Sequence, residues 1–390
     1  MTTVKQLPKF SPEFANKFPQ FDLTRLLKTI FKPKENEKLC ILIDLENPRD
    51  VIDFAFLQKN ELPAQKRAYN VFYHGLHHGA MQQLKLGACD FFAYKTTGGS
   101  NLELPDVVTA PNGTNRRLTD IYSSYDIILC IGTYSATAPL TAAGKKFGFR
   151  GATMHGVNDI IIHSGLAVDY NEVSRETEKL RKGMTHADTV DVDFIVEKKK
   201  HHLHLDLGGQ EAQKSHGICH EGRDVVNLPA GEVYFVPKNA SGRFPIKFEE
   251  DGTLGLMEVD QGRVTHVSLI RGNQEIIDQY QEKFNSDPAT GILGELGFGT
   301  QMLPYSGSDI QDEKIFGTFH LATGRNDHLS GDVTKERFKH LSNASHNDIL
   351  FSSTKTPEIH VSQVQMKRHG KTEILIENYQ PTAYLLNLLK

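Results

Sequence analysis

No stretch of this chain approaches the roughly 18 consecutive apolar residues that a membrane helix requires. The opening residues, MTTVKQLPKFSPEF, hold no apolar block of the signal-peptide kind. Neither a membrane nor a secreted protein is expected, and the expected location is the cytoplasm. Cysteine is scarce: Cys40, Cys89, Cys130 and Cys219, none closely paired. Cys40 and Cys130 lie in the apolar runs LCILI and IILCIG, so buried reduced thiols are expected rather than a disulfide framework. There is no excess of positive charge. Lys and Arg number 44 against 48 Asp and Glu, for a net charge of -4, which argues against a nucleic-acid binder. The small-residue loop at residues 132–137 carries neither G-x-G-x-x-G nor G-x-x-x-x-G-K-[ST], so its expected role is close helix packing, not nucleotide binding.

What is present suits a soluble globular protein. The 390 residues are 38% hydrophobic and 24% charged, enough for two or three domains with sizeable cores. Asp22 stands before the helically spaced LTRLLKTIF as an N-cap. KLCILIDL (38–45), CDFFAYKTT (89–97), YDIILCIG (125–132) and RGATMHGV read as strands. Between them ENPRDVIDFAFLQ reads as turn and helix, and TYSATAPLTAAGKKFG as a loop entering a helix. Strands alternating with helices imply a parallel α/β sheet.

Residues 167–184 form a strongly patterned helix, after which the period changes. Val190, Val192, Phe194 and Val196 alternate with polar residues, as do Leu203, Leu205 and Leu207. That is the pattern of an antiparallel hairpin with one wet face. A second hairpin is expected over 252–270, a helix over 275–284, and a strand and short helix at the C-terminus. The expected fold class is therefore α/β. An N-terminal parallel-sheet α/β domain (1–186) precedes a mixed, partly antiparallel α+β catalytic domain (187–390).

Histidines outside the second half of that domain give no firm site. His74 and His78 have i,i+4 spacing, but Gly75 and Gly79 weaken a helix there, and a surface or interface role is expected. In HHLHLDLGG the alternation turns His202 and His204 away from the leucines, into solvent. His216, Cys219 and His220 lack a second paired motif.

Four islands between residues 226 and 348 carry the chemistry: VNLPAGEVYFVP with Glu232, LGELGFGTQ with Glu295, DEKIFGTFHLATGRN with His320, and SHNDIL with His346 and Asp348. Imidazole nitrogen and carboxylate oxygen together suit a divalent metal of zinc-like hardness. Five such groups exceed what one catalytic zinc takes and suit two metals about 4 Å apart. His346 and Asp348, two apart, share one face of a strand. Glu232 in an apolar strand needs a partner, which a metal would supply. Lys314 in EKIFGT either reaches an oxyanion or pairs with Asp312 or Glu313, and Arg325 is a weaker candidate for a site role. The polar segment GRNDHLSGDVTKERF is expected to shape access to the site.

In that order, NLPAGEVY, GELGFGT, EKIFGTFHLATG and HxD resemble the M29 metalloaminopeptidases, the aminopeptidase T or thermophilic aminopeptidase group. The resemblance implies two divalent metal ions (Zn, Co or Mn) on Glu232, Glu295, His320, His346 and Asp348; Glu295 is the expected bridge, because carboxylates bridge and its glycine surroundings are the most flexible. The resemblance also implies a catalytic part for Glu295, peptide substrates cleaved at the N-terminus, and a homodimer. A tyrosine of the family's metal set falls on Asp327 here, so Asp327 or its neighbour His328 is expected to take its part. Two other readings stand beside it. One is a mononuclear non-heme iron ring-cleaving dioxygenase of the dihydroxypyridine type on the same fold, for which two histidines and an aspartate suffice. The other is an inactive binding homologue.

Overall fold

A computed structural model describes residues 17–249 and 251–390; the expectation drawn from the first residues, 1–16, lies outside them. The fold is mixed α/β in two compact units. The first comprises Met1–Ser174, His216–Ala230 and Leu303–Asp312, and the second Arg175–Ser215, Gly231–Met302 and Glu313–Lys390. The helix Tyr170–Met184, expected as the boundary, is where the chain first passes from one to the other. Two later segments return to the first unit, a pattern that a single cut at 186/187 does not contain.

The first unit is built on β1 (Lys38–Leu45), β2 (Ala88–Lys95), β3 (Val107–Thr109), β4 (Asn115–Arg117), β5 (Ile127–Gly132), β6 (Arg150–His155) and β10 (Val225–Asn227). Their order is β10-β6-β5-β1-β2-β3-β4. The first five are parallel and the last two add antiparallel. Apolar runs suit this position because both faces are covered. Leu39, Ile41 and Ile43 of β1 enter one core, while Cys40 and Leu42 enter another. The helix Leu23–Phe31 starts where the Asp22 carboxylate accepts from the Arg25 N–H at 2.9 Å, and it buries Leu23, Leu26, Leu27, Ile30 and Phe31.

All four cysteines are free and buried, as expected. Burial pushes the Cys89 and Cys130 thiols up to about 12 and Cys219 to about 11, which leaves them unreactive. The loop after β5 packs on Asp44: the Thr133 N–H donates to its carboxylate at 2.9 Å, and a Cβ at Gly132 would stand 2.4 Å from that oxygen. His74, His77 and His78 lie exposed on a helical segment that breaks at Gly79 (φ 127°). One expectation fails locally. The single helix foreseen after β1 is broken where Asp53 and Phe54 take left-handed backbone (φ 48° and 56°).

The second unit is antiparallel throughout its two sheets. One sheet holds β7 (Ala187–Val196), β8 (Lys199–Asp206), β12 (Asn239–Lys247), β13 (Leu254–Asp260), β14 (Arg263–Arg271), β18 (His360–Arg368), β19 (Lys371–Glu377) and β20 (Gln380–Pro381). The other holds β9 (Gln213–Ser215), β11 (Glu232–Phe235), β15 (Leu293–Gly299), β16 (Phe319–Gly324) and β17 (His346–Phe351), in the order β17-β16-β15-β11-β9. The foreseen hairpins β7–β8 and β13–β14 form, as does the helix Gln274–Ser286.

The two sheets meet through phenyl rings. Phe194 of β7 lies 5.1 Å from Phe351 of β17, and Phe319 stacks on Phe351 at 4.9 Å. Each buried phenyl contributes roughly 1.5–3 kcal/mol. Because side chains alternate along a strand, one face of the five-stranded sheet is committed to this core and the other is released for chemistry.

Candidate metal centre

Glu232 opens β11, Glu295 lies in β15, His320 in β16, and His346 and Asp348 in β17. These are four neighbouring strands, so five residues distant in sequence become lateral neighbours. Register puts them on one face. Gly297 is opposite His320, Ala322 stands between Glu295 and Asp348, and Gly324 is opposite His346. The alternate residues Leu296, Phe298, Phe319, Leu321 and Phe351 enter the core. Small residues are required between the functional ones. A Cβ on Gly297 would stand 2.2 Å from the His320 ring and 2.6 Å from the Glu232 carboxylate.

The side chains form a connected chain of charges. His320 Nε2 is 3.1 Å from Glu232 Oε1 and 3.5 Å from Glu295 Oε1. His346 Nε2 is 3.0 Å from Glu295 Oε2 and 3.1 Å from Asp348 Oδ1. The Lys314 ammonium donates to Glu232 Oε2 and, at 2.6 Å, to Glu313 Oε1. Side chains here are nearly sealed, with Lys314 at 1% exposure; Asp348, at 29%, reaches solvent.

Protonation follows from this packing. Burial works against charge on every group, and the neighbours overcome it at most of them. Burial pushes Glu295 up, but the His320 and His346 imidazoles more than offset it and hold the carboxyl well below its ordinary range. Burial lowers both imidazoles, yet Glu232 raises His320, and Asp348 raises His346, well above the usual histidine value. Asp348, despite its burial cost, is held at about 2 by His346. Glu313 is the exception: burial, with repulsion from Asp348, pushes it up to about 7 although Lys314 pulls it down.

The donor set fits a divalent cation. Three groups of three donors have their ligand atoms within 4.8 Å of one another: Glu232, Glu295 and His320; Glu295, His346 and Asp348; Glu313, His320 and Asp348. His346 Nδ1 donates to the Arg325 carbonyl at 2.6 Å. A carbonyl only accepts, so this bond leaves Nε2 facing the carboxylates, the arrangement that orients a histidine ligand. His320 Nδ1 is buried with no hydrogen-bond partner.

Two expectations on this region look different in the structure. Lys314 is not free to reach an oxyanion; of the two carboxylates foreseen as partners it takes Glu313, and it adds Glu232. Asp312 lies in the first unit, where it accepts from the Ser306 N–H and hydroxyl and the Gly307 N–H. Asp327 belongs to none of the three donor groups. It is gripped by Arg325 through bonds of 2.8 and 3.1 Å, and with burial opposing, His328 and Arg325 lower its pKa. The ring of His328 instead packs edge-on against His346 with centroids 4.9 Å apart. Sequence reasoning missed Glu313 as a member of the cluster. Its signal was a charged pair, EK, at the edge of an apolar run, where each charge needs a buried partner.

No family model and no curated protein matches this sequence. Solved structures do share its fold. The 2,5-dihydroxypyridine dioxygenase from Pseudomonas putida KT2440 aligns with a TM-score of 0.59 at 14% identity, over 93% of this chain and 97% of its own. Wild-type AmpT from Thermus thermophilus aligns with a TM-score of 0.55 at 11% identity, over 95% and 99%.

Proposed function

We propose that this chain is a two-metal hydrolase, a metalloaminopeptidase of the M29 kind that removes N-terminal residues from peptides. The observation that carries the reading is how the donors divide. No group of three donors among the described residues contains both imidazoles, while Glu295 belongs to two groups, with Oε1 toward His320 and Oε2 toward His346. A carboxylate so placed suits a bridge between two cations, each with its own histidine. Charge points the same way. With both imidazoles neutral and the carboxylates ionised, as metal ligation requires, Glu232, Glu295, Glu313 and Asp348 against Lys314 leave three negative charges. Two divalent ions with one hydroxide neutralise them, whereas a single divalent ion leaves one uncompensated.

When bound, such ions lower the pKa of water toward neutrality and polarise a carbonyl. The protein's own part is to hold and orient. Lys314 fixes Glu232 and Glu313. The Arg325 carbonyl fixes His346, and Asp327 acts through Arg325. In this reading the metals are Zn, Co or Mn, the substrates are peptides, the assembly is a homodimer and the location is cytoplasmic.

The iron dioxygenase reading has the fold of the Pseudomonas enzyme in its favour, but its triad needs two imidazoles on one ion. Metal analysis of the purified protein separates the readings. Two divalent ions per chain, with activity on aminoacyl or dipeptide substrates lost in chelator and restored by Zn, Co or Mn, is expected. One iron per chain and oxygen consumption with a dihydroxypyridine would replace it, and silence on every peptide with both ions bound would point to a binding homologue.

A further inference from the structure

Apart from the metal centre, the second unit holds a cavity of about 540 Å³, within the range of small-molecule sites. Three segments wall it: the turn from β13 into β14, the residues that follow the helix Gln274–Ser286, and the stretch from Asn326 to Lys339. The wall has three kinds of surface. Buried Ala289, Leu293 and Val333 make one part apolar. At the exposed rim Lys238, Arg263, Arg337 and Lys339 outnumber Asp260 and Asp332. Arg337 and Asp332 pair with each other at 3.0 Å, and Lys238 donates to a neutral carbonyl, that of Gly208. The side chains of Arg263 and Lys339 make no hydrogen bond or ion pair among the described residues. The rim therefore carries surplus positive charge.

The third surface is Asp287, fully buried. It stands at the C-terminus of the helix, where the dipole opposes negative charge. Its Oδ2 accepts from the Lys339 and His340 N–H groups and the Asn343 amide, while Oδ1 has no hydrogen-bond partner. Lys283 acts on it through space only. A buried carboxylate oxygen without a donor calls for one.

We propose that this cavity binds a free α-amino acid with an apolar side chain. The ligand's carboxylate meets Arg263 and Lys339, its ammonium stands toward Asp287, and its side chain lies on Ala289, Leu293 and Val333. A plain anion would answer the rim but leave Asp287 and the apolar wall unused. An amino acid touches all three segments at once and so fastens the polar stretch that follows β16. The inference does not rest on the metal reading, because no residue of the cavity belongs to a donor group of the metal centre.

The test is calorimetric titration of the full-length protein with L-leucine in excess chelator, which removes the metal centre as a competing site. Isocaproate, which lacks the amine, and inorganic phosphate are the comparison probes. Leucine is expected to bind once per chain, at least about tenfold more tightly than either. Arg263→Gln and Lys339→Gln, both at exposed positions, should keep the wild-type melting temperature and each weaken leucine about tenfold or more. Leucine should also slow amide exchange over 260–265 and 326–339 in the wild type and not in Arg263→Gln. Absence of leucine binding, isocaproate or phosphate held as tightly, an affinity indifferent to both substitutions, or protection confined to the strands of the metal centre would each overturn the proposal.

Discussion

The second unit contains histidine–carboxylate pairs in two places. On the β7–β8 hairpin, His202 lies 2.8 Å from Asp193 and His204 2.8 Å from Asp191. On the five-stranded sheet, His320 and His346 lie 3.0–3.5 Å from Glu232, Glu295 and Asp348. Distance does not tell the two apart. The hairpin rings are 53% and 41% exposed, the sheet rings 2% and 4%. Water and salt screen the first set, so each pair there is worth little. In the second set each charge depends on its neighbours, and removing one leaves the others stranded. The same chemistry is exposed and screened in one place, buried and interdependent in the other.

The largest expected effect comes from breaking the buried set at its cation. Lys314→Met strands Glu232 and Glu313 and should cost about 3–5 kcal/mol in chelator, read by denaturant unfolding. A loss below about 1 kcal/mol would show that the cluster does not depend on the Lys314 cation. Glu295→Gln comes next. A neutral amide cannot offset two cations, so fewer than two metals per chain and a drop on the order of a hundredfold or more in kcat are expected. Near-normal turnover with two tightly held metals would remove Glu295 as the bridge.

A third effect separates the sets by pH. The folded-state pKa values of His320 and His346 are raised, so their contribution is complete below the unfolded value of about 6.5 and is lost as pH rises through the folded values. Glu295 and Asp348 are depressed and contribute in the opposite sense, losing their share as pH falls below about 4. In chelator the melting temperature should therefore fall on the alkaline side of 6.5. With metal it should not, because ligands must shed protons to bind. Parallel curves with and without metal would count against the centre. The smallest effect is on the hairpin: His204→Gln should change stability by no more than about 1 kcal/mol and leave metal content untouched.

How much of this was legible beforehand depends on the range of the interaction. Period-2 alternation marks β7 and β8, and the i,i+2 pair His346 and Asp348, because a strand's two faces are written into adjacent residues. The islands around Glu232, Glu295 and His320 stood out as charges in apolar or glycine-rich runs. Glu313 escaped because its place in the cluster depends on His320 and on Asp348, 35 positions on, and no local pattern records who faces whom across a sheet. For the same reason nothing near Val225 announced that β10 would pair with β6. Asp327 was placed by counting from His320, but the chain turns after Gly324 (φ 94°), and Arg325 claims it. The break at Asp53 and Phe54 has no counterpart in the local spacing, which reads as continuous helix.

Asp348 alone in the cluster reaches solvent, and in the proposed two-ion centre this would set an order in time. An ion on the Asp348 side can exchange through a side chain that is already wet. One on the Glu232 side must wait for a sealed wall to open. Chelator should then strip the centre in two kinetic phases, the fast one emptying the Asp348 position, and refilling should run in reverse. The protein would pass through a half-loaded state on every cycle of loss and recovery.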